Sequence, residues 1–315
     1  MLVDRAESRD PPPATKPEIM HSPPDPESRD ICPVFVVGTG RSGSTVFFDI
    51  LARHPGIASL SKFSRDFPRH EWINRLLLLA RGPAMLDGLL RGRWWGATEA
   101  YPFWELHCPG FSSSCRDLDA ADVTPVAARR LRSAVQSMLT TSRSRFAAKV
   151  TGWPRILYLR EIFPSASFVH VTRDPCAVAS SLLEVGFWDG WRGPPNWRRG
   201  ALPSDLDDLW HAERRSFVAL AAIETVIFER AMHHCTGQLP AGAVCTVDYA
   251  RFCEQPVEVF REVGEFCGLP WSPRFEREVR RVPLVNRDDK WRSSLSAEQQ
   301  AVMRRVLEQA RETRV

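Results

Sequence analysis

Four apolar residues, Val34-Phe35-Val36-Val37, run directly into Gly38-Thr39-Gly40-Arg41-Ser42-Gly43-Ser44-Thr45. A short continuous apolar run before a glycine-rich turn is the pattern of a strand buried on both faces of a parallel sheet. After the turn, Val46, Phe47, Ile50 and Leu51 share one helical face, and His54-Pro55-Gly56 marks the stop. Strand, tight turn and helix in that order aim backbone N–H groups and the positive end of a helix dipole at one point, where an anion is favoured. Gly38, Gly40 and Gly43 permit the turn and a close approach of the backbone. Ser42, Ser44 and Thr45 add hydroxyl donors, and Arg41 adds a forked cation. The spacing Gly38 to Gly43 fits a Walker A frame, G-x-x-x-x-G-K-[ST], but Ser44 stands where the lysine belongs. That lysine reaches the β- and γ-phosphates in nucleoside triphosphatases, so its absence argues against ATP or GTP hydrolysis while the anion cradle survives.

The rest of the chain supports a layered architecture. Residues 147–151, 168–172 and 243–247 read as further buried strands, and Ile156–Ile162 as a short helix. Helical patterns cover about 205–235, 256–267 and 296–313. Strands alternating with helices predict an α/β fold with a mostly parallel central sheet flanked by helices. Residues 1–30 carry seven prolines and repeat Glu-Ser-Arg-Asp at 7–10 and 27–30. Such a segment buries too little apolar surface to offset its ordering entropy, so it is expected to be a disordered tail, with one domain over 31–315.

Composition excludes several classes. A net charge of +4 suits one small polyanion and is too weak for a nucleic-acid protein. No run approaches the roughly 18 apolar residues of a transmembrane helix, and the N-terminus turns polar at Asp4 without a signal-peptide core. The eight cysteines form no C-x-x-C pair, so no metal site is expected, and without an export signal they read as reduced thiols. The expected setting is a soluble protein of the cytoplasm.

A second junction follows residues 168–172. There Arg173-Asp174-Pro175 leads into a helix, with Asp174 as a good N-cap, Pro175 as first helical residue and Gly186 placed to stop it. Ser181 lies eight residues after Arg173, with Ser180 as the neighbouring alternative. Arg-Asp-Pro is also a common way to begin a helix with no ligand at all.

The two junctions together resemble those of sulfotransferases that use 3′-phosphoadenosine 5′-phosphosulfate (PAPS), over roughly residues 33–295. The resemblance implies a P-loop-like sulfotransferase fold of the soluble, bacterial type. It makes Gly40, Arg41, Ser42, Gly43, Ser44 and Thr45 the 5′-phosphosulfate loop, and Arg173 with Ser181 the binders of the 3′-phosphate. Tyr249, at the end of the later strand, would lie against the adenine, although the acidic pair that often follows it is replaced by Ala250-Arg251. Residues 286–291 resemble the late basic loop that closes over the nucleotide, with Arg287 and Lys290 as further 3′-phosphate contacts; a solvated basic loop is the competing reading.

Sulfuryl transfer, like phosphoryl transfer, asks for alignment and for neutralisation of charge on the leaving phosphate, which fixed cations supply without a metal. Arg41 is one such cation. Lys149 is the second: it interrupts an apolar strand, where a charge needs a reason, and it matches the lysine of cytosolic sulfotransferases. A strand-end lysine reaching out to solvent is the other reading. Thr151 occupies the place where those enzymes carry a basic histidine, and Ser59-Leu60-Ser61-Lys62 lacks the glutamate used by others. A proton acceptor is still required, and a carboxylate walled by aromatics serves well. Glu99 is the first choice, then Glu105 and His107, with Asp66, His70 and Glu71 behind them. The run from Trp94-Trp95 to Tyr101-Pro102-Phe103-Trp104 and the run Phe187 to Trp197 read as aromatic walls for a small-molecule, lipid or carbohydrate hydroxyl, or as hydrophobic clusters pinning loops. Two other functions compete: a P-loop-type kinase or NTPase with a displaced lysine, and a non-catalytic module binding adenosine 3′,5′-bisphosphate (PAP).

Overall fold

The computed structural model describes residues 31–70, 72, 73, 75, 76, 96 and 98–312. The proline-rich segment 1–30, Glu71 and the Trp94-Trp95 pair lie outside them.

Five strands form one wholly parallel sheet in the order β2-β3-β1-β4-β5. They are β1 Val34–Gly38, β2 Ile57–Ser59, β3 Arg145–Thr151, β4 Ser167–Thr172 and β5 Val244–Asp248. Strand β1 is central because its flanks are apolar on both faces: Phe35 and Val37 belong to one core, Val34 and Val36 to the other. It pairs Val36 with Lys149 on β3 and with Val169 on β4. Strands β2 and β3 lie on one side of β1 and β4 and β5 on the other, so the direction of the crossovers reverses between β1 and β4, and beside the carboxyl ends at such a reversal open α/β sheets place their ligand crevice.

The helices in chain order are α1 Ser44–Leu51, α2 Lys62–Asp66, α3 Tyr101–His107, α4 Pro125–Met138, α5 Ile156–Ile162, α6 Pro175–Leu183 and α7 Ser204–Ala212. They continue with α8 Phe217–Gly237, α9 Tyr249–Glu254, α10 Pro256–Phe266, α11 Pro273–Arg280, α12 Lys290–Ser294 and α13 Ala297–Glu312. Helix α1 buries Phe47 against the sheet, where its ring stacks on Phe260 of α10 at 4.7 Å and meets Phe252 of α9 edge-on at 5.2 Å. The opposite face packs α3, α4 and α5 through residues such as Trp104, Leu131 and Leu159. Helices α6, α7, α8, α12 and α13 build a third apolar cluster around Leu220, Ile223 and Met303.

The expected parallel sheet with flanking helices is the observed one. Two expectations about helices are corrected. The pattern over 205–235 is not one helix: Arg214 and Arg215 both adopt positive φ, 54° and 57°, which no α-helix accommodates. Ser216 then starts α8 afresh by accepting from the Val218 N–H at 3.2 Å. Helix α6 ends at Leu183, so Gly186 lies in the turn beyond it instead of capping it.

Two histidines are held neutral by the packing. The Gly56 N–H donates to His54 Nδ1 at 3.0 Å, which leaves Nε2 to donate to the Pro270 carbonyl at 3.0 Å. Burial keeps the His54 pKa below its ordinary value, against the pull of the Pro270 hydrogen bond. Burial drives His170 of β4 down to about 4, assisted by His233. The unfolded chain therefore takes up these protons first as pH falls below 6.5. Stability is full above that value and drains away toward the folded pKa, by about 1.4 kcal/mol per pH unit for each proton. Urea midpoints measured from pH 7 to pH 4.5 are expected to fall, and His170→Gln should fall less steeply; parallel curves would show that His170 contributes nothing.

Candidate active site

The carboxyl ends of β1 and β4 hand over to α1 and α6 side by side. In the first turn, Arg41 takes φ 72° and Gly43 φ 86°, so the backbone curls and opens α1 with no side chain capping its first N–H groups. Those donors stay available to a ligand. A Cβ on Gly43 would stand 2.3 Å from Tyr249 Cδ2, so the glycine is required by the ring packed on it as well as by its φ. In the second turn, the Asp174 carboxylate accepts from the Ala177 N–H at 2.8 Å and Pro175 is the first helical residue, as the sequence predicts.

The two turns touch. Arg173 donates through Nη1 to the Arg41 carbonyl oxygen at 2.9 Å. Arg41 donates through Nε to Ser181 Oγ at 2.9 Å. Ser180 lies deeper, with its hydroxyl 3.4 Å from Ser294 Oγ, so Ser181 is the serine that reaches the loop. The Arg173 guanidinium lies 4.5 Å above the centre of the Tyr249 ring, and Nε donates to Asp288 at 2.7 Å. The loop 286–291 thus comes down beside Arg173 through Asp288. Its basic neighbours do not touch Arg173: Lys290 pairs with Glu184 at 2.6 Å, and Arg287 lines the adjoining cavity. Tyr249 also lines that cavity and donates its hydroxyl to the Val285 carbonyl at 3.2 Å.

This first cavity holds about 460 Å³. Arg41, Arg173, Arg287 and Lys290 face it together with the hydroxyls of Ser44, Thr45 and Ser181. Of its two acids, Asp49 has its pKa raised by burial against the lowering influence of Lys149, and Glu184 is spent on Lys290. Cations, hydroxyls and uncapped N–H groups around one hollow fit a multiply charged anion.

A second chamber of about 630 Å³ lies on the other side of the loop, and Arg41, Ser44 and Thr45 line both. Lys149 points to the α1 face of the sheet, as alternation along β3 requires, and donates to Thr45 Oγ1 at 2.8 Å. It is buried, which excludes a strand-end lysine reaching solvent. Its ammonium lies 3.3 Å from Glu99 Oε1. Thr151 donates its hydroxyl to the same carboxylate oxygen. Ala100, at φ 49°, starts α3, and Trp104 Nε1 fixes the Glu99 carbonyl at 2.8 Å. Burial pushes the Tyr101 hydroxyl well above its ordinary pKa, with Glu99 adding to the rise; it donates to the Thr151 carbonyl at 3.2 Å.

Among the described residues, the other proposed bases Glu105, His107, Asp66 and His70 do not line this chamber. Burial works against ionisation of Glu105, yet the N–H groups of Gly110 and Ser112 outweigh it and hold its pKa below normal. That carboxylate tethers a loop, at 2.6 and 2.9 Å. His107 packs on the Phe103 ring, and Asp66 pairs with Arg65 at 2.7 Å. The two readings of the aromatic runs divide: Tyr101 lines the chamber, whereas Phe103 and Trp104 are core residues. Trp188 and Trp197 are core residues, and of the run from Phe187 to Trp197 only Phe187 lines the chamber.

Sequence reasoning missed most of the remaining wall. Trp153 and Phe228 meet edge-on at 5.3 Å. Arg199 lies over Phe228 at 4.7 Å and donates to the buried Glu224 at 2.8 and 2.9 Å, while Trp188 Nε1 donates to the other oxygen at 2.6 Å. One signal was present: Glu224 is an acid within the apolar stretch Val218 to Ile227, and a buried carboxylate demands partners.

The family model described as "Sulfotransferase family" matches residues 33–273, and the chain belongs to that family. Its fold is similar to the crystal structure of sulfotransferase STF9 from Mycobacterium avium, at 18% identity and a TM-score of 0.54, over 89% of this chain and 77% of that one. It is more distantly similar to mouse sulfotransferase SULT7A1 complexed with PAP, at 11% identity and a TM-score of 0.45, over 90% and 84% of the two chains. A stretch of 113 residues, 36% of this chain, is 28% identical to an uncharacterized protein of Aquifex aeolicus and spans only 12% of that protein's length. Among the described residues no helix is long and apolar enough to cross a membrane, and no group of three metal-ligating side chains occurs.

Gly43→Ala is expected to cost about 1–3 kcal/mol, since it combines a left-handed backbone with a ring contact. Urea unfolding of Gly43→Ala, Tyr249→Ala and the double variant should give a double loss smaller than the sum of the singles. Strict additivity would separate the glycine from the ring.

Proposed function

We propose that the protein transfers the sulfuryl group of PAPS to a hydroxyl of a small-molecule, lipid or carbohydrate acceptor. The observation that carries this reading is the position of the loop: Arg41, Ser44 and Thr45 form the boundary between an anion-binding cavity and a chamber holding a lysine–carboxylate pair. Membership of the family supports it.

In this reading the loop residues Gly40 to Thr45 and the first N–H groups of α1 hold the 5′-phosphosulfate. Arg173 and Ser181 hold the 3′-phosphate, Arg287 and Lys290 approach it from the late loop, and Tyr249 bounds the adenine side. The acceptor occupies the larger chamber. Its hydroxyl gives up a proton to Glu99 as its oxygen bonds to sulfur and the bond from sulfur to the 5′-phosphate oxygen breaks. Arg41 and Lys149 neutralise the charge that grows on that leaving oxygen. Thr151 and Lys149 keep the Glu99 carboxylate aimed. No metal enters this scheme.

A second reading has one observation in its favour. The Lys149 ammonium reaches Thr45 from the neighbouring strand, so a displaced lysine does meet the loop. A kinase or NTPase built this way would bind ATP with Mg²⁺. Calorimetric titration separates the two: PAP is expected to bind without metal and more tightly than ATP–Mg²⁺, and Arg173→Ala should weaken PAP by about 10- to 100-fold, the worth of charge-assisted hydrogen bonds. Tighter binding of ATP–Mg²⁺ would favour the kinase.

Catalysis is tested by incubation with PAPS and a mixed hydroxyl extract, read by mass spectrometry. Arg41→Ala and Lys149→Ala should each lower turnover by about 10²–10³-fold. Glu99→Gln should lower it by about 10²–10⁴-fold while PAP affinity stays the same. PAP binding with no sulfated product from any acceptor would leave the non-catalytic module.

A further inference from the structure

The mouth of the larger chamber carries a patch that the proposed chemistry does not use. Phe187, which lines the chamber, is 65% exposed, Trp191 48% and Phe217 41%. The rings are not scattered. Trp191 meets the buried Trp188 at 4.7 Å and Phe217 at 5.0 Å, and Phe187 adjoins Trp188 in the chain. Single exposed aromatics are ordinary, but the Trp191–Phe217 pair, with a third exposed ring one residue from the Trp188 it packs on, is a cost unless something covers it.

Arginines predominate around the rim. Arg192, Arg198, Arg214 and Arg215 are all exposed. Of the acids nearby, Asp189 accepts from the backbone N–H and Nε of Arg198 at 2.8 and 2.9 Å, Glu213 pairs with Arg305 at 2.8 Å, Asp207 lies 3.7 Å from His211, which Arg215 Nε meets at 3.4 Å, and Asp208 is exposed. Arg198 also donates to the Phe187 carbonyl at 3.3 Å, which ties this cation to the aromatic rim. Arg214 and Arg215, at positive φ, form the turn that leads into Phe217. Among the described residues, the guanidinium groups of Arg192 and Arg214 have no acidic partner within ion-pair distance.

We infer that this rim docks on an anionic lipid surface, so that the chamber draws its acceptor from a membrane. Aromatic rings that enter the headgroup boundary, flanked by arginines that meet lipid phosphates, are what an interfacial site requires. Charge complementarity selects the occupant: an uncharged apolar partner would leave the arginines unpaired, and a soluble polyanion would leave the rings in water. The inference of a lipid-borne acceptor rests on the reading of the chamber as the acceptor site, whereas the docking itself does not.

Vesicle flotation tests it with the full chain. Vesicles of phosphatidylcholine with phosphatidylglycerol should retain the protein at low salt, vesicles of phosphatidylcholine alone at least about tenfold less, and about 0.5 M salt should release it. Trp191→Ser/Phe217→Ser should weaken binding about tenfold, and Arg192→Ser/Arg214→Ser by about fivefold per arginine removed. Neither pair lines the nucleotide cavity, so unchanged PAP binding certifies that each variant is folded. Equal retention on neutral and anionic vesicles, or anionic binding indifferent to the aromatic pair, would overturn the docking site. Binding to heparin with no vesicle binding would overturn it in favour of a soluble polyanion. Failure of the wild type to bind PAP, with vesicle binding intact, would strike the proposed function alone.

Discussion

A single guanidinium joins the two strand–helix junctions on which the site is built. Arg173 spends one nitrogen on the Arg41 carbonyl and another on Asp288, and its plane covers Tyr249, which in turn fills the space over Gly43. The ends of β1, β4 and β5 and the late loop are therefore held by one side chain. Arg41 sits in a left-handed conformation that costs on the order of 1–3 kcal/mol in a residue other than glycine. A charge-assisted hydrogen bond to its carbonyl, worth roughly 1.5–3 kcal/mol, is of the size needed to keep it there. The strain stays local because both turns leave a sheet whose strands are buried on each face.

The other side of the loop depends on a buried charge. Lys149 leaves water for a position between Thr45 and Glu99, and removing either partner from such a pair is far costlier than never having built it. Thr151 shares the Glu99 oxygen, so hydroxyl, ammonium and carboxylate form one connected group. A connected polar group in a low-dielectric setting is rigid only when each member is satisfied. Here the strand supplies two members and the residue before α3 supplies the third.

The parts of this arrangement that are local in the chain could be read from it. The apolar run before Gly38, the capped start at Asp174-Pro175 and the lysine inside β3 each carry a short-range signature, and each stands where that signature places it. Glu99 was reached by its aromatic surroundings, although Glu105 has similar neighbours; what separates them is a turn at Ala100 that no periodicity encodes. Long-range pairings were out of reach for the same reason. Asp288 meets Arg173 across 115 positions, and its basic neighbours drew attention because sequence shows charge and hides direction. Trp188 and Trp197 read as wall residues because composition shows a large ring without showing which side of a loop it faces. The break at Arg214-Arg215 was invisible because arginine has no propensity against helices, and only the tertiary turn forces its backbone over.

The loop that divides the two hollows has a consequence for how such a chain diversifies. The anion-side hollow draws on the strand ends and the late loop, whereas the wall of the other is drawn largely from residues 111–114, 150–153, 155, 187, 198, 199, 224, 225 and 228. Among the described residues, three side chains serve both. Mutations that re-contour one room therefore have few ways to disturb its neighbour, and the two hollows can change shape apart.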